Sequence, residues 1–375
     1  SSYSADPVNN RTGAFEFSQT DFELPASRGI PLKFVRTYNS KLAERNGRLG
    51  NGWSHSYNSF YYLKKENANS WKVEIYLGGA LVSMFNSTDG GGHYAPAPGE
   101  FDSLMNENGI LVYKTTDGTR YIYSKVLSTN LAMLDKIVDT NNNTVQLEYT
   151  PRRDVQLLTK ITDASNRSIN LTYFNESDSV RWDKISEIRD GISANDPRFM
   201  SYEYDGAGNL TKVSTTRAYA GATEVIERFF TYDGNNRLLT YKDPSETILY
   251  NKYDDSGRVT EQRELNPNNP RLDGQGQPPI VYTLAYRLAD PNIAGSTHCT
   301  ITANYRSLAT HYDEDVCFNA NELKIYSQKG DNIERWTHDG DGMIATHTDA
   351  LGNVSSYLYD LQRRLIQETK PDING

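Results

Sequence analysis

The chain has 375 residues, of which 37% are hydrophobic and 23% charged, and its formal net charge is −9. It has no apolar run long enough to span a bilayer, so membrane insertion is not expected. Its basic residues are scattered singly, which argues against nucleic acid as a partner. With 26 Tyr against 12 Phe and 4 Trp, the composition is typical of β-sheet with two partly solvated faces.

Residues 1–60 predict a short opening domain in which Pro and Gly separate brief β-branched and aromatic segments. We expect strands at residues 14–17, 32–38 and 53–63. Trp53 and His55 are the most site-like pair in this region. We expect both side chains to close the N-terminal end of the β-structure rather than to act chemically.

Residues 61–130 predict a β-meander with strands at 71–77, 80–85, 111–114 and 120–124. The turns at 89–92 and 116–119 contain the Asp and Gly residues that hairpin turns require. Residues 94–99 contain two Pro, so we expect a loop that cannot enter a central strand.

Residues 131–375 predict an array of repeats, with an irregular insertion at about 265–335. Weaker copies begin at Asp139 and Asp163. The clear copies pair an aromatic residue with Asp, followed by a Gly/Asn-rich stretch and an aliphatic residue. They begin at Tyr204-Asp205, Tyr232-Asp233, Tyr253-Asp254, His338-Asp339 and Tyr359-Asp360.

The copies recur with a regular period. The spacing from Asp233 to Asp254 equals the spacing from Asp339 to Asp360. A period of about 20 residues is the signature of a repeat architecture. The stretch from Asp254 to Asp339 is close to four such periods and leaves room for decayed units. We predict a degenerate copy there at Tyr312-Asp313, which ends at residues 321–323.

Each copy predicts a β-hairpin. The Asp carboxylate can accept hydrogen bonds from backbone N–H groups two residues on, while Gly208, Gly257 and Gly342 supply left-handed positions. The tyrosines fall at strand ends. Because a single hairpin is marginal in water, each must pair with the next. The predicted fold class is therefore all-β, a curved or spiralling sheet of antiparallel hairpins.

We expect no catalytic, cofactor-binding or metal-binding residues in the array. A regularly recurring Asp is explained by turn formation, whereas paired catalytic carboxylates would occupy two unusual positions. The segment from Asp339 to Gly342 resembles a calcium loop, but the ligand pattern fails at Met343 and no Glu follows at the twelfth position. A Tyr platform for surface glycans is an alternative that the composition leaves open.

Cys299 and Cys317 are the two cysteines of the chain. A disulfide between them would close a short loop, stabilise the fold by roughly 3 kcal/mol on the chain-entropy account and indicate an oxidising compartment. The alternative is a pair of free structural thiols. A metal site is not expected here, because a CxxC pair and clustered His are both missing.

The chain resembles the Rhs/YD-repeat proteins. The N-terminal phrases that carry the resemblance are Asp6-Pro7-Val8-Asn9, Thr20-Asp21-Phe22-Glu23-Leu24-Pro25, Arg36-Thr37-Tyr38-Asn39-Ser40 and Leu49-Gly50-Asn51-Gly52-Trp53-Ser54-His55-Ser56-Tyr57. The later Tyr-Asp copies resemble the YD repeats. The resemblance implies a ribbon of hairpins that winds into a hollow shell, which encloses a C-terminal toxin in Rhs proteins and toxin complexes and forms part of an adhesion ectodomain in teneurins.

One departure from the family concerns its C-terminal core signature, an Asp-Pro-x-Gly-Leu segment with autoproteolytic Asp residues, which has no match here. Residues 371–375 would open another repeat. We therefore expect the sequence to stop in mid-array and to be a piece of a longer chain.

The favoured function is a non-enzymatic structural module of an exported bacterial shell, secreted or at the cell surface. Its expected partners are the remainder of the shell and an encapsulated toxin domain. A fibre-forming or cell-surface adhesin, with identical subunits as partners, is the alternative from another class. A carbohydrate-active enzyme is the third hypothesis.

Overall fold

A computed structural model describes residues 3–5, 7–26, 28–97, 100–191, 198–219, 222–266, 276, 278–305, 312–360 and 363–371. The all-β prediction is confirmed, because regular structure in these ranges consists of strands apart from one short 3-10 helix at Ser40–Leu42. No helix in the described ranges is long and apolar enough to cross a membrane. The predicted repeat opening at 372–375 and residues 361–362 of the last copy lie outside the described ranges.

The chain divides into a larger unit of residues 17–236 and a smaller unit of residues 1–16 and 237–375. The domain bounds predicted from the sequence, at 60 and 130, both fall within the larger unit and stay predictions. The first two strands, in the smaller unit, are β1 (Tyr3–Ala5) and β2 (Val8–Asn9).

The next strands run through the larger unit. They are β3 (Glu16–Leu24), β4 (Leu32–Asn39), β5 (Asn46–Gly47), β6 (Gly50–Asn51), β7 (Trp53–His55), β8 (Phe60–Lys65), β9 (Trp71–Leu77), β10 (Ala80–Ser87), β11 (Ala95–Pro96), β12 (Ser103–Glu107), β13 (Ile110–Lys114), β14 (Arg120–Tyr123), β15 (Lys125–Ser128), β16 (Leu131–Met133), β17 (Lys136–Val138), β18 (Thr144–Arg152), β19 (Val155–Thr162), β20 (Ser168–Tyr173), β21 (Ile185–Asp190), β22 (Arg198–Tyr204), β23 (Leu210–Tyr219) and β24 (Ala222–Tyr232).

The remaining strands belong to the smaller unit. They are β25 (Leu238–Lys242), β26 (Ile248–Tyr253), β27 (Val259–Leu265), β28 (Ile280–Leu288), β29 (His298–Asn304), β30 (Tyr312–Phe318), β31 (Lys324–Lys329), β32 (Asn332–His338), β33 (Ile344–Thr348), β34 (Val354–Tyr359) and β35 (Leu365–Thr369). Each pairs antiparallel with the next, so the smaller unit is a continuous meander.

The strands of the larger unit pair in several sheets. One sheet has the order β11-β10-β9-β8-β16-β15, a second has the order β3-β4-β7, and β5 pairs with β6. The repeat sheet runs from β12 through β13, β14 and β17 and then in chain order to β24. Alternation of apolar and polar residues places one face of its strands in the core, as at Val145 and Leu147 of β18, which are 1% and 2% exposed.

Three strand predictions need correction. The predicted strand at 53–63 is broken between β7 and β8, because residues 56–59 form a turn in which the Asn58 amide donates to the His55 carbonyl. The predicted loop at 94–99 contains the two-residue strand β11, whose Pro96 is tolerated at the edge of its sheet. The strand at 14–17 instead begins at Glu16 and continues to Leu24.

Candidate functional site: the tyrosine-aspartate turns

The Asp-led turns of the array share one set of hydrogen bonds, which Asp205 illustrates. The Asp205 amide donates to the Asn209 carbonyl at 3.0 Å, and the Gly208 amide donates to the Asp205 carbonyl at 3.1 Å. The Asp205 Oδ1 atom accepts from the amides of Ala207 and Asn209 at 2.9 and 2.8 Å. The carboxylate is therefore committed to organising its own turn.

The same backbone pattern recurs along both units. It begins at Asp139, Asp163, Asp205, Asp243, Asp254, Asn319, Asp339, Asp349 and Asp360. The residue three positions later has a positive φ angle in each of these turns, which is 85° at Gly208 and 72° at Gly257. At Glu246, Glu322 and Arg363 a larger side chain occupies this left-handed position, which costs each turn about 1 kcal/mol or more.

The predicted degenerate copy does end at residues 321–323, but its predicted start at Tyr312-Asp313 is wrong. Asp313 lies within β30, paired with Ala303. The turn begins instead at Asn319, whose Oδ1 accepts from the amides of Asn321 and Leu323, both at 3.0 Å. An Asn side chain offers the same acceptor as Asp, so Phe318-Asn319 replaces Tyr-Asp in this copy.

The turns at Asp243 and Asp349 do not match the Tyr-Asp pattern, because Lys242 and Thr348 rather than aromatic residues precede them. They lie about midway between the recognised copies. One period of the array thus contains two turns and two strands. In an antiparallel meander successive turns lie at opposite ends of the strands, so in the smaller unit the Tyr-Asp turns share one end and Asp243 and Asp349 share the other.

The strand pairing differs at the two ends. A shift in register precedes the aromatic residue of the Tyr-Asp turns, between Lys252 and Tyr253 and between Leu358 and Tyr359. No shift occurs in the strand pairs joined by the Asp243 and Asp349 turns. Such β-bulges change the direction of a side chain. Here they occur directly before the tyrosines, at the end of the sheet where the Tyr-Asp turns lie.

The re-aimed tyrosines form a ladder of hydrogen bonds. Each hydroxyl donates to the carbonyl of the first residue of the preceding strand. The bonds join Tyr204 to Ile185 (2.8 Å), Tyr232 to Leu210 (2.6 Å), Tyr253 to Leu238 (2.8 Å) and Tyr359 to Ile344 (3.1 Å). Tyr286, outside any recognised copy, makes the same bond to Val259 at 2.7 Å. Because Leu210, Leu238 and Ile344 directly follow Asp-led turns, the ladder ties such a turn to the next along the sheet.

In the larger unit the N-terminal segment packs on this end of the repeat sheet. The Asn51 side-chain amide donates to the Ala207 carbonyl and to Asn209 Oδ1, both at 2.9 Å. The Ile185 amide donates to the Arg48 carbonyl at 2.9 Å. A Cβ atom at Gly50 would lie 2.7 Å from the Gly208 carbonyl oxygen, so only glycine allows this close approach.

A buried network of charged and aromatic side chains also joins the opening segment to the repeat sheet. Arg36, 0% exposed, donates from Nε and Nη2 to the two Asp21 carboxylate oxygens at 2.9 and 3.1 Å. Tyr202 donates to Asp21 Oδ2 at 2.9 Å. The Arg36 guanidinium lies 4.7 Å from the Trp53 ring centroid, and Trp53 Nε1 donates to the Tyr232 hydroxyl at 2.7 Å. The network thus joins the opening segment to the Tyr232 rung of the ladder.

The smaller unit has an equivalent contact made by residues 8–15. The Val259 amide donates to the Gly13 carbonyl at 2.9 Å, and Thr300 Oγ1 donates to the Asn10 carbonyl at 2.6 Å. Phe15 is fully buried. In both units, therefore, N-terminal residues cover part of the repeat sheet.

The exposure of the aliphatic residue that follows each Tyr-Asp turn shows where the repeat sheet is covered. Leu210, Leu238 and Val259 are each 0% exposed. The same position is 38% exposed at Ile344 and 52% exposed at Leu365. The last strands thus present apolar side chains that earlier strands bury.

Two cavities are lined by histidines, one beside the His338-Asp339 turn and one beside the opening segment. One, of about 470 Å³, is lined by Trp336, His338 and Asp339 in the smaller unit. Burial lowers the pKa of His338, and the Asp339 charge only partly opposes this. The other cavity, of about 420 Å³ in the larger unit, is lined by Arg48 and His55 among others. Burial and the nearby Arg48 charge lower the pKa of His55 to about 3, so this imidazole is too weak a base to accept a proton near neutral pH.

The Asp residues predicted from the sequence contact the backbone of their own turns, and Trp53 is buried. Asp205, Asp254, Asp339 and Asp360 each bind their own turn backbone, Asp233 accepts from the Asn235 amide at 2.9 Å, and the predicted site-like residue Trp53 is 2% exposed. The contacts of Arg36, Asp21, Tyr202 and Asn51 were not predicted. For Arg36, Asp21 and Asn51 the sequence signal is a charged or amide residue near aromatic residues, whereas Tyr202 is one tyrosine among many.

Comparisons with known proteins agree with this repeat pattern. A family model described as RHS Repeat matches residues 338–372, and one described as Domain of unknown function (DUF6531) matches residues 5–73. The chain is 24% identical over 374 residues to the probable deoxyribonuclease RhsB of Dickeya dadantii (strain 3937), covering 95% of this chain and 23% of that protein. It therefore spans about a quarter of the length of this relative.

Two of the solved structures that the chain is similar to match with low TM-scores. The TcdB2-TccC3-Cdc42 crystal structure matches with a TM-score of 0.27 at 10% identity, over 97% of this chain and 28% of that one. The N-terminal domain of effector protein SpvB from Salmonella typhimurium strain LT2 matches with a TM-score of 0.28 at 12% identity, over 66% and 99%. The RHS Repeat match over the last two copies, at His338-Asp339 and Tyr359-Asp360, together with similarity to an Rhs relative along 95% of this chain, supports the assignment to the Rhs/YD-repeat proteins.

Proposed function

We propose that this chain is a wall module of an exported Rhs shell that, in the complete protein, encloses and delivers a toxin domain. The observation that carries the proposal is the tyrosine ladder. Within each unit, bonds such as Tyr232 to Leu210 and Tyr253 to Leu238 tie neighbouring strands together, while the Asp carboxylates accept hydrogen bonds from their own turns. The recurring residues therefore serve to build a wall.

The exposed apolar residues of the last strands support the assignment to a larger structure. Ile344, Val354, Leu358 and Leu365 are 38%, 50%, 56% and 52% exposed. Apolar side chains gathered on adjacent strands are costly to leave in water and mark surfaces that other protein covers. We propose that further β-structure of the complete shell covers them, as residues 8–15 cover Val259.

The cargo is inferred from the relative alone. The Dickeya protein is named a probable deoxyribonuclease, and this chain corresponds to about a quarter of it. We propose that a toxin domain of the parent protein is held inside the shell and leaves the producing cell with it. The chain itself, in this proposal, has no enzymatic activity, and export places it outside the cell or at its surface.

The test uses the complete parent protein, purified and imaged by negative stain. Hollow particles whose C-terminal domain resists trypsin are the expected result. A matched variant, Asn51→Ala, removes the amide that holds the N-terminal segment to Ala207 and Asn209, and should make the enclosed domain more accessible to trypsin. Thr129→Ala, at an exposed polar residue, is the control and should not.

The alternative of a fibre-forming adhesin gives a different outcome. Long filaments in negative stain, or a parent chain whose repeats end without a further domain, would overturn the encapsulation proposal. Glycan binding has no support from the comparisons and stays a prediction, which a glycan-array experiment on the purified chain can settle.

A further inference from the structure

Four neighbouring strands of the smaller unit align their side chains in one row. Arg287 of β28 pairs with Cys299 of β29, Cys299 pairs with Cys317 of β30, and Cys317 pairs with Tyr326 of β31. Asp315 lies two residues before Cys317, and side chains two apart share a face of a strand. Asp315 therefore lies on the same face as both cysteines.

The two cysteines are joined by a disulfide in a largely buried place. Cys299 is 1% and Cys317 0% exposed. Ile293, Ile325 and Ile333 pack against the cysteines and Tyr326. The pair lies directly opposite across two adjacent strands, so the strand pairing itself holds the sulfur atoms close whether or not they are bonded to each other.

Asp315 supplies a third ligand atom at this place. Its Oδ1 atom lies 3.7 Å from Cys317 Sγ, while its Oδ2 atom accepts a hydrogen bond from Arg287. Arg287 also pairs with Asp290 at 2.9 Å. Ligand atoms of Cys299, Asp315 and Cys317 all lie within 4.8 Å of one another. One carboxylate oxygen thus faces the sulfurs, and the other is oriented by a cation.

We propose that, once the disulfide is reduced, Cys299, Cys317 and Asp315 bind one zinc ion, with water as the fourth ligand. A dithiol breaks the Cys299–Cys317 bond, gives it two electrons and two protons, and is itself oxidised to a disulfide. Zinc binding then releases the two thiol protons, because thiolates are the ligands. The site takes no metal in the oxidised protein, where both sulfur atoms are bonded to each other.

The charges and dimensions suit zinc. Two thiolates and one carboxylate carry three negative charges, of which Zn²⁺ neutralises two, and the third lies beside the Arg287 guanidinium that Asp315 shares with Asp290. Zinc binds sulfur at about 2.3 Å and carboxylate oxygen at about 2.0–2.2 Å in a tetrahedron. The sulfur–sulfur distance in such a site is somewhat shorter than the distance between the Cβ atoms of directly opposite residues on paired strands. Two opposite cysteines can therefore reach one zinc ion. Arg287 would fix the Asp315 carboxylate from outside, as groups around metal sites commonly do.

The partly exposed side of the site allows entry. The side chains of Asp315 and Arg287 are 19% and 39% exposed, whereas the cysteines are buried and packed against isoleucines. Water can therefore reach the fourth position beside Asp315. Three protein ligands with one open position distinguish the proposed site from a closed structural zinc site.

The experiment compares the oxidised protein with protein reduced by dithiothreitol, which is then removed without air. Each sample is titrated with Co²⁺ and afterwards with Zn²⁺. The reduced protein should bind one Co²⁺ with a thiolate-to-cobalt charge-transfer band, which Zn²⁺ abolishes, and the oxidised protein should show no such band. X-ray absorption of the zinc form should give two sulfur ligands at about 2.3 Å.

Matched variants test the role of Asp315. Asp315→Asn should weaken zinc binding by the reduced protein at least about tenfold. Glu314→Gln makes the same change in charge one residue away, on the opposite face of β30, and should leave the affinity unchanged. Absence of the charge-transfer band, ligands without sulfur in the wild-type X-ray absorption spectrum, or equal effects of the two variants would each overturn the proposal.

Discussion

The Tyr232 hydroxyl donates a 2.6 Å hydrogen bond to the main-chain carbonyl of Leu210. The same hydroxyl accepts a bond from Trp53 Nε1 at 2.7 Å. Leu210 follows the Asp205 turn, whereas Tyr232 precedes the Asp233 turn. One phenol therefore ties two turns of the repeat sheet together and attaches the N-terminal segment to them.

Tyr232→Phe should lower the free energy of unfolding by about 1–3 kcal/mol, because it leaves the Leu210 carbonyl and the Trp53 indole N–H without this partner in a buried place. Urea denaturation followed by Trp fluorescence measures the change. Tyr359→Phe is the matched control, since its bond to Ile344 is exposed. A change at such a surface position should cost less than about 0.5 kcal/mol. Equal effects of the two variants would show that the ladder gains nothing from burial.

Because one position of the turn needs a left-handed backbone, we expect substitutions at two glycines of the same turn to differ in their effect on stability. Gly208 has a φ of 85°, whereas Gly206 of the same turn has no positive φ, and a Cβ atom added there would have nothing within 4 Å. Gly208→Ala should destabilise the larger unit by about 1 kcal/mol. Gly206→Ala should change stability by only a few tenths of a kcal/mol. Thermal unfolding of the two variants decides the matter, and a Gly208→Ala variant as stable as the wild type would contradict it.

The Asp163 turn predicts a dependence on pH. Burial would raise the pKa of Asp163, but bonds from the Arg167 amide and guanidinium and from the Ser165 amide outweigh it, so the pKa is lowered. A lowered folded-state pKa means that this stabilisation is fully present above the unfolded value of about 3.9 and is lost as pH falls through the folded value. Asp163→Asn should thus cost about 2 kcal/mol at neutral pH.

The cost of Asp163→Asn should shrink towards zero at a pH below the folded pKa, where the wild-type carboxyl is protonated as well. Chemical denaturation across the acidic range measures this. Asp154→Asn, at an exposed residue of the β18–β19 turn, makes the same change in charge and should have little effect at either pH. A cost that does not vary with pH would mean that the carboxylate charge at residue 163 contributes nothing.

The turns were readable from the sequence because their cause is local. An Asp and a residue with positive φ three positions later suffice to define a turn, so residues 205–209 and 254–258 were found from a few letters. Asn319 was missed because an amide can replace the carboxylate, and Asp243 because the aromatic residue belongs to one end of the sheet only. The pattern sought was therefore narrower than the physical requirement.

The contacts of the opening segment could not be read in the same way. Tyr202 and Asp21 are 181 residues apart in sequence, and Asn51 and Asn209 are 158 apart. Neither spacing leaves a periodic trace. What the sequence does show is a lone charge in an aromatic segment, which requires a buried partner but does not name it.

Arg36→Met should be the most damaging of these substitutions in the larger unit, at about 3–5 kcal/mol, because it leaves the Asp21 carboxylate, 1% exposed, without its cation. Arg36→Met combined with Asp21→Asn should recover part of that loss, since the uncompensated charge is gone. Arg189→Met is the control, because its pair with Glu187 is exposed and should contribute less than about 1 kcal/mol. Urea denaturation measures all three variants. If Arg36→Met and Arg189→Met cost the same, the buried pair does not anchor the opening segment to the repeat sheet.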